Sequence, residues 1–377
     1  MLLSVLVPTK NNPDTLTPLV KGFASWSKEN SDNVELVIVD NSDVINDNIN
    51  DFTFTNVRYV WSNEQIDILQ NFDKCIGMAL GDYSIIIGDD DAVLPSILEV
   101  AKDISELGVD SAMSIADVYY WPGVNSYWEP NNTGGYFMGC KSPKPPSNFD
   151  VKNGLDKLLR SGGCSYKSFL PSVYHGIVRT KILLSFIEKH DTAFPGPSPD
   201  ISNAVLLGLS NVTCRLYTSF MVSGARIGSA SAEGALHGHH GELAERLSYI
   251  NRGRFSWPST VPGFFCGPTM WSVSVSHTLK FAGASEHLYK LNSAMLHGRC
   301  LVFHLTYTRL IINSLIKQRL GVILAFPFAV GFSIWERVTE YVSNYFLHSR
   351  LLTRFSSRLV IRDISDTKSL VDIIQKS

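Results

Sequence analysis

The chain has 377 residues, 45% of them hydrophobic and 18% charged, with a formal net charge of −2. That length suits one large α/β domain with additions or two domains, and the charge carries no general nucleic-acid signature, so no nucleic-acid partner is expected. The six cysteines (75, 140, 164, 214, 266 and 300) are scattered without a C-x-x-C pair, which argues against a thiolate zinc site or a disulfide framework and fits a reducing cytoplasm.

In chain order, MLLSVLVPTK reads as a first strand rather than a leader, since it has neither a basic start nor a small-residue cleavage site. The apolar run Leu2 to Val7 stops at Pro8. A polar loop from Thr9 to Asn12 follows, with Asp14 placed to cap a helix reaching about Asn30. VELVIV (34–39) is a second buried strand ending in Asp40, and Val57 to Trp61 is a third. Ile66, Leu69, Phe72, Ile76 and Leu80 recur at helical spacing, with Gly81 at the expected C-terminal cap. Tyr83 to Ile87 is an apolar, β-branched strand that runs into Gly88, Asp89, Asp90 and Asp91. A helix is expected from Pro95 to Leu107 and a strand from Ser111 to Ala116. Strands alternating with helices predict a parallel sheet with right-handed crossovers.

Two of these strands end in carboxylates on one rim, at Asp40 and at Asp89, Asp90 and Asp91. Adjacent carboxylates repel one another, and at the carboxyl end of a buried strand they face the crevice where open α/β sheets bind ligands. A hard divalent cation carrying a phosphate accounts for them; the plainer reading is an acidic surface turn. There is no GxGxxG and no GxxxxGK[ST], so neither a dinucleotide fingerprint nor a P-loop is present.

VLVPTKNN, VIVDNSD, QNFDKCIGMALGDY and IIIGDDDAVLP, in that order, resemble family 2 glycosyltransferases with the GT-A fold over roughly residues 1–235. The resemblance implies an α/β fold, a mostly parallel sheet with helices on both faces, and a helical C-terminal extension. The implied division is a donor half at 1–116, an acceptor half and lid at 117–235, and a C-terminal region at 236–377. It further implies that Pro8, Thr9 and Asp40 hold the nucleotide, that Asn71 and Asp89 lie near the donor, and that Mn²⁺ or Mg²⁺ binds within Asp89, Asp90 and Asp91. Gly88 stands where the commoner motif has its first Asp, which leaves the metal-binding frame open among the three. The alternative for Asn71 is an exposed polar helix position.

Tyr119, Tyr120, Trp121, Tyr127, Trp128, Tyr136 and Phe137 make 117–139 aromatic, as stacking surfaces for an acceptor sugar or as loop packing. FPGPSPDISNAVLLGLSN (194–211) delays a helix until Asp200, by position its N-cap. The resemblance makes Asp200 the base that takes the acceptor hydroxyl's proton, although Pro199 replaces the usual Glu. Residues 221–241 have a lid's composition and carry His237, His239 and His240 in what reads as a solvated loop.

The carboxyl third is apolar, with helices expected over 271–291 and 296–315. Leu320 to Trp335 has no charge but is short for a membrane span and contains Pro327. Net charge is about +6 over 309–362 against about −7 over 1–308, and Arg350, Arg354 and Arg358 recur every four residues. An Arg-rich amphipathic helix beside an apolar hairpin suits an anionic membrane surface; an ordinary packed appendage is the alternative. The expected activity is inverting, metal-dependent transfer from a nucleotide-diphosphate sugar, which the resemblance makes a UDP-sugar, to a saccharide or lipid-linked acceptor. The resemblance places it in bacterial surface-polysaccharide assembly. The expected location is cytoplasmic, peripheral at the inner face of the plasma membrane. Two rivals stand beside it: an Asp-nucleophile phosphohydrolase, from the D-x-D-x-V string at Asp89, and a non-catalytic sugar-nucleotide-binding scaffold.

Overall fold

The computed structural model describes residues 1–50, 54–114, 117–125, 133–140, 144–164, 170–228, 254–348 and 358–376. The chain begins with β1 (Leu3–Thr9), α1 (Pro13–Ser27), β2 (Val34–Asp40), a one-turn α2 (Asp47–Asn50), β3 (Val57–Trp61), α3 (Ile68–Gly77) and β4 (Tyr83–Ile86). These four strands pair in parallel in the order β3-β2-β1-β4, the arrangement expected from strand–helix alternation. Then come β5 (Ala92–Val93), α4 (Ser96–Glu106), β6 (Ser111–Ser114), β7 (Asp117–Tyr120), β8 (Tyr136–Cys140), β9 (Ser147–Phe149) and α5 (Val151–Arg160). β10 (Gly176–Arg179), α6 (Thr180–His190), α7 (Pro199–Leu209), β11 (Cys214–Tyr217) and β12 (Met221–Ala225) complete this part. The large sheet reads β3-β2-β1-β4-β10-β6-β11-β9, with β10 antiparallel to both neighbours and β9 antiparallel at the edge.

Alternation along β1 explains why both faces are covered. Leu3, Val5 and Val7 enter a core with Leu16 and Leu19 of α1 and Ile97 and Ala101 of α4. Leu6 faces the other way, into a core with Leu69 and Phe72 of α3, Leu183 of α6 and Val205 of α7. A second, five-stranded sheet reads β13-β8-β7-β12-β5. It takes up most of the aromatic stretch: Tyr119 and Phe137 are buried, and Tyr120 stacks on Tyr136 at 4.6 Å. Tyr127 and Trp128 lie outside the described residues.

The C-terminal helices are α8 (Gly267–Phe281), α9 (Ser293–Phe303), α10 (Thr308–Leu315) and α11 (Leu320–His348). They are followed by β13 (Arg358–Arg362) and α12 (Thr367–Lys376). β13 pairs antiparallel with β8, and Leu370 and Val371 of α12 are buried with Tyr119 and Phe137, so the chain's last described segment rejoins the domain that began it.

Several local expectations change. Gly81 does not cap α3, which ends at Gly77; a Cβ on Gly81 would sit 2.6 Å from the Ser4 nitrogen, so glycine serves the close approach to β1. Asp14 is inside the first turn of α1, whose N-cap is Asn12. Met221 to Ala225, expected in a lid, is a fully buried strand, because its small residues let β12 pass close against residues 90–91. Residues 229–253, with all three lid histidines, lie outside the described residues. Arg350 and Arg354 lie outside them too, while Arg358 and Leu359 open a strand instead of ending a helix. The charge-free stretch is no hairpin but part of the 29-residue α11.

Candidate active site

β4 delivers Gly88 to Asp91 at the carboxyl rim, and the three carboxylates separate into different jobs. Asp91 is 1% exposed. Its Oδ1 accepts from the Gly224 backbone N–H at 2.6 Å, and its Oδ2 meets the Gly88 N–H at 2.6 Å and His175 Nε2 at 2.7 Å. It therefore ties β4 to β12 and to the segment before β10. Asp89 Oδ2 accepts from Thr9 Oγ1 at 2.6 Å and Asn12 Nδ2 at 2.8 Å, and Arg226 Nε lies 3.8 Å from Oδ1. Burial pushes the Asp89 carboxyl above the usual carboxylate range, and the Thr9 and Asn12 hydrogen bonds pull against it.

Asp90 differs from both. It is buried, yet its Oδ2 has no hydrogen-bond partner. Burial first, then the charges of Asp91 and Asp89, push its carboxyl up to about 7. Trp121 Nε1 donates to the Asp90 carbonyl at 2.9 Å and holds the backbone. Gly88 keeps this corner open: a Cβ would fall 2.9 Å from Asp90 Oδ1, 3.2 Å from Asp91 Oδ2 and 3.4 Å from Tyr174 Oη, all of them side-chain atoms, the nearest of which would have to shift.

Residues 172–175 run beside the end of β4. Ile86 N–H donates to Val173 O at 2.8 Å, and His175 N–H donates to Ile86 O at 3.0 Å. His175 adopts φ 67°, an uncommon left-handed conformation for a non-glycine residue, and stacks on Tyr174 at 4.1 Å. The Tyr174 hydroxyl is held well above its ordinary pKa, by burial first and then by Asp91, Asp90, Asp200 and Asp89. The charges of all four carboxylates are thus felt at one phenol. Sequence reasoning passed over Tyr174, His175 and Arg226; the string SVYHG carries no local motif, and only pairing with β4 brings it to the rim.

Asp200 reaches the site from the other side. Ser198 is the N-cap of α7 and Pro199 its first residue, so Asp200 lies in the first turn rather than at the cap. Its Oδ1 accepts from Ile201 N–H at 2.8 Å and from Ser198 Oγ, while Oδ2 has no protein partner among the described residues. Ser172 Oγ donates to the Asp200 carbonyl at 3.1 Å, and Asn203 Oδ1 accepts from Val173 N–H at 2.9 Å, fixing α7 against the Tyr174 segment.

The remaining expected donor residues line the β1–β2 rim. Thr9 pairs with Asp40 in register, next to Pro8. Asp40 is 2% exposed; Ser42 N–H at 2.8 Å and Ser42 Oγ donate to Oδ1, and Tyr59 Oη donates to Oδ2 at 2.7 Å. Asn71 is buried, not an exposed helix position. Its Nδ2 donates to Val39 O at 3.2 Å and Asn41 Oδ1 at 3.1 Å, and its own Oδ1 is buried without a partner. It braces the loop that follows β2.

Among the described residues, no three His, Cys, Asp or Glu side chains converge to hold a metal ion. A cation that fits here would take Asp90, the carboxylate with an unsatisfied buried oxygen, and fill its other positions from the ligand. Two clefts of about 470 and 670 Å³ lie elsewhere, one beside Phe194, Arg254 and Lys280 and one beside Phe186 and Leu209; neither is lined by these carboxylates.

Residues 4–166 match the family model described as Glycosyl transferase family 2. A comparison with curated proteins finds no match. Among solved structures the fold is similar to S. aureus TarS 1-349 in complex with UDP-GlcNAc, at 16% identity and a TM-score of 0.47, covering 100% of this chain and 92% of that one. TarS 1-349 in complex with UDP matches at 15% identity and a TM-score of 0.43, over 100% and 92%. A longer TarS chain matches at 16% identity and a TM-score of 0.40, over 60% of this chain and 37% of its own length.

Proposed function

With residues 4–166 assigned to glycosyl transferase family 2, we propose that this protein moves a sugar from a nucleotide-diphosphate donor to a hydroxyl of a saccharide or lipid-linked acceptor, with inversion at the anomeric carbon. The family resemblance favours UDP and surface-polysaccharide assembly. The observation that carries the reading is Asp90, a buried carboxylate with an unpaired oxygen just beyond a parallel strand, with the start of α7 and Asp200 joined to the adjoining segment through Ser172.

A bound Mn²⁺ or Mg²⁺, held by Asp90, supplies Lewis-acid stabilisation to the departing diphosphate. The protein's own residues do the rest. Asp89 holds the first loop through Thr9 and Asn12, which keeps Pro8 and Thr9 fixed at the nucleotide end. Asp40 is oriented by Ser42 and Tyr59 beside that loop. Arg226, at 3.8 Å from Asp89, puts a cation beside these carboxylates, where negative charge gathers on the leaving diphosphate. Asp200, in the first turn of α7, accepts the acceptor hydroxyl's proton on Oδ2, the oxygen its protein hydrogen bonds leave open.

Thermal unfolding with a panel of UDP- and GDP-sugars, each with and without Mn²⁺, tests the assignment, coupled to an assay of the product's anomeric configuration. Donor protection that requires Mn²⁺ and is lost in Asp90→Asn is expected. Asp200→Asn should keep that protection and lose about 10²-fold or more in transfer rate. Turnover of a generic phosphate ester without sugar-nucleotide protection would instead favour the phosphohydrolase reading built on Asp89.

A further inference from the structure

α11 is 29 residues long and is held by a single strip. Ala329 and Ser333 face α9, where Gly298 allows close approach: a Cβ there would lie 2.7 Å from the Ala329 carbonyl carbon. Arg299 of α9 and Glu336 of α11 close the strip with an ion pair at 2.7 Å. The other face is apolar and open. Leu320 is 70% exposed, Leu324 65%, Phe328 82%, Phe332 46% and Trp335 60%, one residue every three or four along the helix. Nothing among the described residues covers this stripe, and its extent exceeds the scattered apolar exposure of ordinary surfaces. The charges at the start of the stripe have one sign, with Glu336 paired to Arg299 at its far end. From 287 to 335 the sequence has no Asp or Glu, while Arg309, Lys317 and Arg319 are exposed around the turn into α11 and form no ion pair among the described residues. Ile316, 66% exposed, lies in that same turn.

We propose that α11 and the turn before it are the docking surface for an anionic lipid leaflet. The apolar stripe enters the boundary between headgroups and acyl chains, and Arg309, Lys317 and Arg319 sit at the level of the lipid phosphates. By length and composition Leu320–Val342 is apolar enough to cross a bilayer, against the short span expected from the uncharged run alone; its packing on α9 at Gly298 and the Arg299–Glu336 ion pair hold one side of it against the folded chain and favour in-plane seating. Self-association through a two-fold axis would bring the same three cations together with no carboxylate in the patch to meet them. The inference does not depend on the sugar-transfer reading, since neither α11 nor these cations belong to the active site.

Flotation of the full chain with phosphatidylcholine vesicles, with and without phosphatidylglycerol, is the test. Binding to the anionic vesicles is expected, weaker as salt rises and at least tenfold weaker to phosphatidylcholine alone. The triple change Arg309→Glu, Lys317→Glu, Arg319→Glu should cost at least tenfold, and Leu324→Glu with Phe328→Glu should abolish flotation. All replaced side chains are exposed, and unchanged circular dichroism verifies that the variants fold. Flotation of both variants at wild-type levels overturns the proposal. So does absence of vesicle binding, including a wild-type oligomer in sedimentation that Leu324→Glu with Phe328→Glu dissolves.

Discussion

Asp90 and Asp91 are neighbours in sequence with opposite roles. Asp91 satisfies two backbone donors and His175, so Asp91→Asn turns an acceptor into a donor against at least one of them. A loss of about 2–4 kcal/mol is expected, readable as a lowered denaturation midpoint. Asp90→Asn removes a buried charge with an unpaired oxygen and should leave stability unchanged or raised while abolishing cation-dependent donor protection. Gly224→Ala is expected to be severe, because its Cβ would fall 1.9 Å from the Asp90 carbonyl, backbone that cannot move without breaking the Asp91 anchor. A run of three aspartates marks a site but has no direction. Which one anchors and which one faces the ligand depends on Gly224, 133 residues away, and that pairing leaves no trace in the motif itself.

At the scale of elements, starts and stops were readable wherever local chemistry decided them. Pro195, Pro197 and Pro199 place the start of α7 to within one residue, and the error moves Asp200 from cap to first turn because proline itself takes the first helical position. The strand ends at Asp40 and Ile86 were plain to within a residue, since apolar runs there meet polar loops. Interactions between helices were not. His297 on α9 is fully buried, donating from Nδ1 to Ser293 O at 2.7 Å and accepting at Nε2 from Ser314 Oγ at 2.9 Å on α10. Burial lowers its pKa against the opposing pull of the Ser293 carbonyl. The folded value therefore lies below the unfolded one near 6.5. The stabilising share is complete above pH 6.5 and drains away as pH falls toward the folded value. Denaturation midpoints should drop on acidification below 6.5, and His297→Gln should flatten that part of the profile.

For the whole molecule, the parallel order of the first four strands and the helical C-terminal region followed from alternation and composition, but the closing of the second sheet did not. Arg350, Arg354 and Arg358 share a spacing that suggests one helix, whereas Arg358 belongs to β13 and pairs with β8. A short apolar run such as LVI is consistent with either state, and only its distant partner decides. Removing residues 358–377 should therefore damage the catalytic domain as well as the tail. Ile364, Leu370 and Val371 are all at most 1% exposed, packed with Tyr119 and Phe137. Loss of cooperative thermal unfolding is expected, whereas retention of a single sharp transition would mark this segment as dispensable.

That late pairing has a bearing on how the protein is made. As the ribosome extrudes the chain, β1 to β4 can form their parallel core early, but β8 must wait with one edge open until residues 358–362 emerge. During that interval the nascent domain presents an unpaired strand and uncovered Tyr119 and Phe137, the kind of surface that chaperones bind. The time taken to translate from residue 140 to residue 358 thus sets how long that edge stays open.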